Sequence, residues 1–295
     1  MPRGVPKAGF RLTRKRVAAA NGVAYTLPLS VARAVMQPQP TPVVEETEEQ
    51  IRAKLAERFE TLTDVTNAAV DGRVRAVVVS GPAGLGKSSE VLAVLEKRKP
   101  FYTVVSGFVR ATGLFKTLYE YRHPGSVIVF DDADSIFNDD VSLNLLKKAC
   151  DTTKSRNISW LAESKMEDEE GEKMPRNFDF EGTVIFITNY DFDDFISRGS
   201  RLSPHFEALV SRSQYLDLKM KTRRDYLTRI KMKLEDGMLR SRGLNKTDED
   251  EIMSFVEKNA DILREVSLRV VVKIADLKAA MPDRWQSRAR VLCCK

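Results

Sequence analysis

Apolar residues follow two alternating rhythms along this chain. Short apolar runs rich in β-branched residues occupy 76–80, 101–105, 126–130 and 183–187, and a fifth short strand is expected over 214–218. Runs of that length and composition read as buried strands. Between them the apolar spacing becomes helical: Val91, Leu92 and Leu95, then Leu114, Leu118 and Tyr121, then Leu143 and Leu146, then the stretch 204–210. Strands alternating with helices predict a parallel sheet with helices on both faces. Ahead of the first strand, Ile51, Leu55, Ala56, Phe59 and Leu62 mark an amphipathic helix with acids in its first turn, and 63–75 reads as a leader into the strand.

Beyond 218 the strand runs stop. Tyr226, Ile230 and Leu234 suggest one helix, Ile252, Phe255 and Val256 a second, and Leu268, Val271, Val272, Ala275 and Leu277 a third, with Gly237 and Gly243 between them. The expected fold class is therefore α/β: a five-stranded parallel sheet between helices over 45–218, followed by a small all-α lid domain over 219–295. Residues 151–182 are polar and irregular, and the acids at 167–170 read as a solvated loop or hairpin tip. Residues 1–44 contain six prolines, which interrupt any long helix, and form an arm rather than a domain.

Chemistry enters at the end of the first strand. Gly81-Pro82-Ala83-Gly84-Leu85-Gly86-Lys87-Ser88 fits the phosphate-binding loop G-x-x-x-x-G-K-[ST], set between a strand and a helix as that motif requires. Its glycines let backbone N–H groups wrap a polyphosphate, and the following helix, starting near Ser89, adds its positive end. Lys87 would reach the β- and γ-phosphates of ATP, and Ser88 would give a hydroxyl to Mg²⁺. The third strand ends in Asp131-Asp132, a Walker B pattern. Asp131 is the expected holder of Mg²⁺ and Asp132 the general base for an attacking water.

Charge changes the picture of the arm. The net charge is +6, yet Arg3, Lys7, Arg11, Arg14, Lys15, Arg16 and Arg33 all lie within 1–44, where no acid occurs, so the remainder carries −1. Pro2-Arg3-Gly4-Val5-Pro6-Lys7 is similar to an AT-hook, with Val5 in place of that motif's second arginine. The arm is the expected nucleic-acid contact, through salt-dependent phosphate neutralisation. A solvated tail and an organelle-targeting segment are its two alternative readings. No apolar run spans a bilayer and no secretory signal pattern appears. Cys150, Cys293 and Cys294 form no disulfide framework, and the adjacent pair reads as a tail oddity or a thiol pair. His123 and His205 make no metal-ligand cluster. The expected setting is the cytoplasm of a bacterial or phage-infected cell, with no membrane partner.

The order of parts resembles the AAA+ ATPases over about residues 46–280. Asp132 departs from that pattern, where most members carry Glu. The resemblance implies a homo-oligomer, a ring or partial ring and most simply a hexamer, with nucleotide between subunits. Ile185-Phe186-Ile187-Thr188-Asn189 looks like the sensor-1 strand, whose Asn189 would orient the lytic water. Arg198, Arg201 and Arg212 are candidates for the arginine finger, and Arg212 has the matching place before the fifth strand. Arg269 resembles the sensor-2 arginine, with Arg264 as the alternative. Adenine would lie near 63–75. The loop carrying Phe108, Val109 and Arg110 would face a central pore, or else pack its Phe inward. The compact layout suits a phage replication or recombination ATPase. The alternatives are a protein-remodelling ATPase with a protein partner and an ATP-gated scaffold that hydrolyses little.

Overall fold

The computed structural model describes residues 46–161, 167 and 173–295. The basic arm with its AT-hook-like stretch, and the acids at 168–170, lie outside the described residues. Thr47–Lys295 forms one compact unit. It opens with α1 (Glu48–Val70), capped reciprocally by Thr47 and Gln50. This helix does not stop at Leu62. Thr66 and Ala69 carry the buried stripe onward, and the chain leaves only at Gly72, whose φ is +69°. Residues 63–70 therefore continue the helix, and only 71–75 lead into the first strand.

The strands β1 (Ala76–Ser80), β2 (Phe101–Ser106), β3 (Ser126–Asp131), β6 (Thr183–Thr188) and β7 (Gln214–Asp217) form one parallel sheet in the order β2-β3-β6-β1-β7. The intervening β4 (Asn157–Ser159) and β5 (Asn177–Asp179) pair separately. The three central strands are buried on both faces, which is why their sequences run apolar without alternation. Val77, Val79, Val127, Val129, Ile185 and Ile187 face α1 and α2 (Lys87–Arg98). Ala76, Val78, Ile128, Phe130, Val184 and Phe186 face the opposite layer, built from α3 (Ala111–Glu120), α4 (Asp140–Ala149) and α6 (Ser203–Val210). Strand β2 lies at an edge, so its apolar residues are only partly covered, and Phe101 is exposed.

The polar stretch 151–182 contains an antiparallel hairpin root. Only Ile158 and Phe178 turn inward from its three-residue strands, too few to register as periodicity. Arg156 anchors it: its buried guanidinium donates to the carbonyls of Ala149 and Gly182, both at 2.9 Å. Two helices carried no clear sequence signal. The first, α5 (Phe192–Ser197), is short and capped by Asp191.

The second is α10 (Trp285–Cys293), which buries Trp285, Ala289 and Cys293 at four-residue intervals. It closes a separate apolar core with α7 (Arg223–Glu235), α8 (Lys246–Lys258) and α9 (Leu268–Ala280). Cys293 and Cys294 are thus buried members of that core, with free thiols, rather than an unpacked tail. Among the described residues no helix is long and apolar enough to cross a membrane.

Candidate functional site

Parallel strands present all their C-terminal ends at one edge of the sheet, and ligands of open α/β sheets bind there. Strand order decides what meets. β6 lies between β1 and β3, so Ser80 stands beside Thr188 and Asp131 beside Ile187. The phosphate loop leaves β1, Asn189 follows β6, and Asp131-Asp132 ends β3.

The loop needs its glycines. Gly84 and Gly86 sit at φ +73° and +89°, where a side chain is strained. A Cβ at Gly84 would also come within 2.8 Å of the Ser267 Cβ. Lys87 opens α2 with its ammonium turned back over the loop, donating to the carbonyls of Gly81 and Pro82 and, at 2.9 Å, to Asn189 Oδ1. Asn189 Nδ2 in turn donates to Asp132 Oδ1 at 2.9 Å. Ser88 Oγ donates to Asp131 Oδ1 at 2.8 Å. Ser89, also placed at the loop, donates to the Gly86 carbonyl and lines the cleft. The expected residues Lys87, Ser88, Asp131, Asp132 and Asn189 are thus joined by two short hydrogen-bond chains.

Asp132 has φ +52°, the left-handed region. That turn directs its carboxylate towards Asn189, with Oδ2 4.0 Å from Arg269 Nη2. Arg264 instead donates to the Cys294 carbonyl at 3.0 Å and does not line the cleft, whereas Arg269 does. The cleft between the loop and the helical part measures 590 Å³. Met238, Leu268 and Val272 give it an apolar wall, and Arg269 and Lys273 add positive charge one helical turn apart. Residues 63–75 do not line it.

Burial pushes the Lys87 ammonium down to about 8, against the opposing pull of Asp132 and Asp131. Burial raises Asp131, with the Ser88 hydrogen bond opposing and the Asp132 charge adding to the rise. A polyanion would hold Lys87 protonated, so nucleotide binding should take up protons as the pH rises past 8. The expected uptake grows from about a quarter of a proton at pH 7.5 to most of a proton at pH 9. Calorimetry in buffers of different ionisation enthalpy reads this directly. A binding enthalpy independent of buffer across that range would contradict it.

The remaining expected residues stand apart. Arg212 is half-buried at the end of α6 and donates to the Ala208 carbonyl at 2.8 Å. Arg198 pairs with Asp194 at 2.8 Å and Arg201 with Asp140 at 3.7 Å. None of these three lines the cleft. Phe108 does not pack inward: it is 76% exposed, and the Arg110 guanidinium lies 5.8 Å from its ring centre. Val109 packs on the core instead, its amide held by Ser135 Oγ at 2.9 Å.

Three contributors escaped the sequence reading. Thr188 Oγ1 donates to the half-buried Asp134 at 2.6 Å and accepts from the Tyr190 amide, which fixes the backbone on both sides of Asn189. Asp134 had a signal, as the third acid of Asp131-Asp132-Ala133-Asp134. Arg229 also had one, since it falls on the apolar stripe of Tyr226, Ile230 and Leu234. It is buried there and reaches the phosphate loop.

A phosphate loop, paired acids on the third strand, this strand order and a helical C-terminal part define an AAA+ type P-loop ATPase fold. No family model matches the chain. It is 35% identical over 251 residues to the "uncharacterized 36.7 kDa protein in nrdC-mobD intergenic region" of Enterobacteria phage T4, covering 83% of this chain and 76% of that one. The chain belongs to the family of that phage protein, which accords with the expected phage-type layout. Solved structures of similar fold include the Thermotoga maritima RuvB Holliday junction branch migration motor, at 16% identity over 83% of this chain and 69% of that one, TM-score 0.43. NtrX from Brucella abortus in complex with ADP matches at 12% identity over 85% of this chain and 54% of that one, TM-score 0.47.

Proposed function

We propose that this protein binds and hydrolyses Mg-ATP and works on nucleic acid as a homo-oligomer. The observation that carries the ATPase reading is the linked set Lys87–Asn189–Asp132 beside Ser88–Asp131, all at one sheet edge. The residues fit the group. The loop is a glycine cradle with no room for a Cβ at Gly84, and a hydroxyl and a carboxylate already lie side by side where a hard cation takes oxygen ligands. Ser88 and Asp131 would hold Mg²⁺, and the loop amides with Lys87 and Arg269 would hold the phosphates. The bound metal supplies charge neutralisation at the β- and γ-phosphates. Asp132 accepts the proton of the attacking water on Oδ2, because Oδ1 is engaged by Asn189. Lys87 exchanges its loop carbonyls for phosphate oxygens and offsets the negative charge there. Met238, Leu268 and Val272 offer the apolar surface that a base needs.

Nucleic acid is proposed from the charge distribution. All of the chain's excess positive charge lies in 1–44, and the remainder is slightly acidic. An oligomer accords with the family resemblance, and Arg212 is the residue assigned to cross an interface. Duplex or single-stranded DNA should raise ATP turnover several-fold at low salt, with the effect falling as salt rises. Deleting 1–44 should remove the stimulation and leave basal turnover intact. Stimulation by an unfolded polypeptide, with no response to any nucleic acid, would favour the protein-remodelling reading instead.

A further inference from the structure

Two helices of the C-terminal part touch the phosphate loop through its outward carbonyls. The Leu268 amide, at the first position of α9, donates to the Gly84 carbonyl at 2.9 Å. The Arg229 side chain, from α7, donates through Nε to the Leu85 carbonyl at 3.3 Å and through Nη2 to Glu90 at 2.8 Å. Arg229 is 3% exposed, and its guanidinium lies 3.3 Å from the centre of the Phe59 ring. Glu90, one turn into α2, is shared with Lys233. The guanidinium is therefore held by a loop carbonyl, a carboxylate and a ring face.

These two contacts fall on consecutive peptide units. In a trans peptide the C=O and the N–H point in opposite directions. Pinning the Gly84 carbonyl outward turns the Leu85 amide inward, and pinning the Leu85 carbonyl does the same for the Gly86 amide. Those are amides that a phosphate loop turns on its ligand. Glycine at 84 and 86 leaves this stretch little intrinsic preference, so an external hold has something to decide. We propose that the lid sets the aim of the phosphate loop in the same subunit, with Leu268 (through its backbone N–H) and Arg229 as positioning residues. This rests on the nucleotide-binding reading above and adds a mechanism to it. Lid position and phosphate affinity become one equilibrium, so a movement that withdraws α7 and α9 loosens two phosphate-facing amides together.

The backbone contact can be broken without interrupting α9, because proline at 268 puts Cδ where the N–H faces the Gly84 carbonyl. Leu268 is at the first helical position, where proline is tolerated, and Ser267 before it is extended (φ −155°, ψ 164°), as a residue preceding proline prefers. Leu268→Pro deletes the N–H, whereas Leu268→Ala shortens the side chain and keeps it. Calorimetry with ATP and with ADP should show Leu268→Pro binding about three- to tenfold more weakly than Leu268→Ala. Arg229→Lys keeps a cation for Glu90 without the fork that also covers the Leu85 carbonyl, and should weaken both nucleotides about tenfold. In each case KM should rise while kcat at saturation stays within about twofold, the pattern of lost uniform binding. A merely structural role would lower kcat through loss of folded protein and leave KM in place.

Thermal unfolding without nucleotide checks that each variant folds, and if Leu268→Pro does not, Arg229→Lys decides. Equal affinities for the proline and alanine variants, or wild-type affinity in Arg229→Lys, would overturn the proposal and leave the ATPase reading standing. Failure of the wild-type chain to bind nucleotide would take down that reading, and this one with it.

Discussion

Lys87→Ala is expected to cut ATP turnover by at least about 10²-fold, the loss seen when a fixed charge stabiliser of a transition state is removed. The effect should appear in binding as well. The Lys87 ammonium is buried and has three acceptors waiting: two loop carbonyls and the Asn189 amide oxygen. Removing it leaves the loop carbonyls unpartnered and takes from the cleft the cation that opposes Asp131 and Asp132. Repulsion between those carboxylates and an incoming polyphosphate is then opposed only by the exposed Arg269 and Lys273. Arg269 is too exposed to replace it, with its side chain 60% accessible. Steady-state turnover and nucleotide titration of the variant check this. Turnover within about threefold of wild type would mean that the loop lysine does no chemistry here.

Asp132→Asn should separate binding from turnover. The amide keeps an oxygen to accept from Asn189, and asparagine tolerates the φ of +52° at this position better than most residues. The fold and the affinity for ATP should therefore change little. The acceptor for the water's proton is lost, and turnover should fall about 10²- to 10⁴-fold. The test is a paired measurement of turnover and ATP affinity on one preparation. Near-normal turnover would move the base elsewhere, with Asp134 as the next carboxylate to replace. Burial raises the pKa of Asp134, against the hydrogen bond it accepts from Thr188. The left-handed turn also bears on the missing methylene of Asp132 relative to Glu. A backbone directed this way brings the shorter side chain within hydrogen-bond reach of Asn189.

The three central strands were legible because burial on both faces gives continuous apolar runs, and the phosphate loop because a strand, glycines and a helix occur together. Lys87, Ser88, Asp131, Asp132 and Asn189 could be picked out for the same reason: each ends a strand or begins a helix that periodicity locates. The elements that escaped lack that contrast. The hairpin root hides its two inward residues in a polar stretch. The α10 helix hides Trp285, Ala289 and Cys293 among arginines, so the cysteine pair looked like a loose end. α1 outran its expected end because Thr66, a polar residue, fills a core position and donates to the Leu62 carbonyl at 2.7 Å. Arg229 is the same problem in reverse, a cation on an apolar stripe whose partners come from elsewhere in the chain. Contacts of that kind arise from tertiary packing, and local pattern carries only their outline.

The most direct test is a titration of the full-length chain with ATP in the presence of magnesium, followed by heat or by a fluorescent nucleotide. The account predicts saturable uptake at one site per chain, weakened when magnesium is withheld and abolished in Lys87→Ala. A folded chain that takes up no ATP, or takes it up equally well without Lys87, would contradict it.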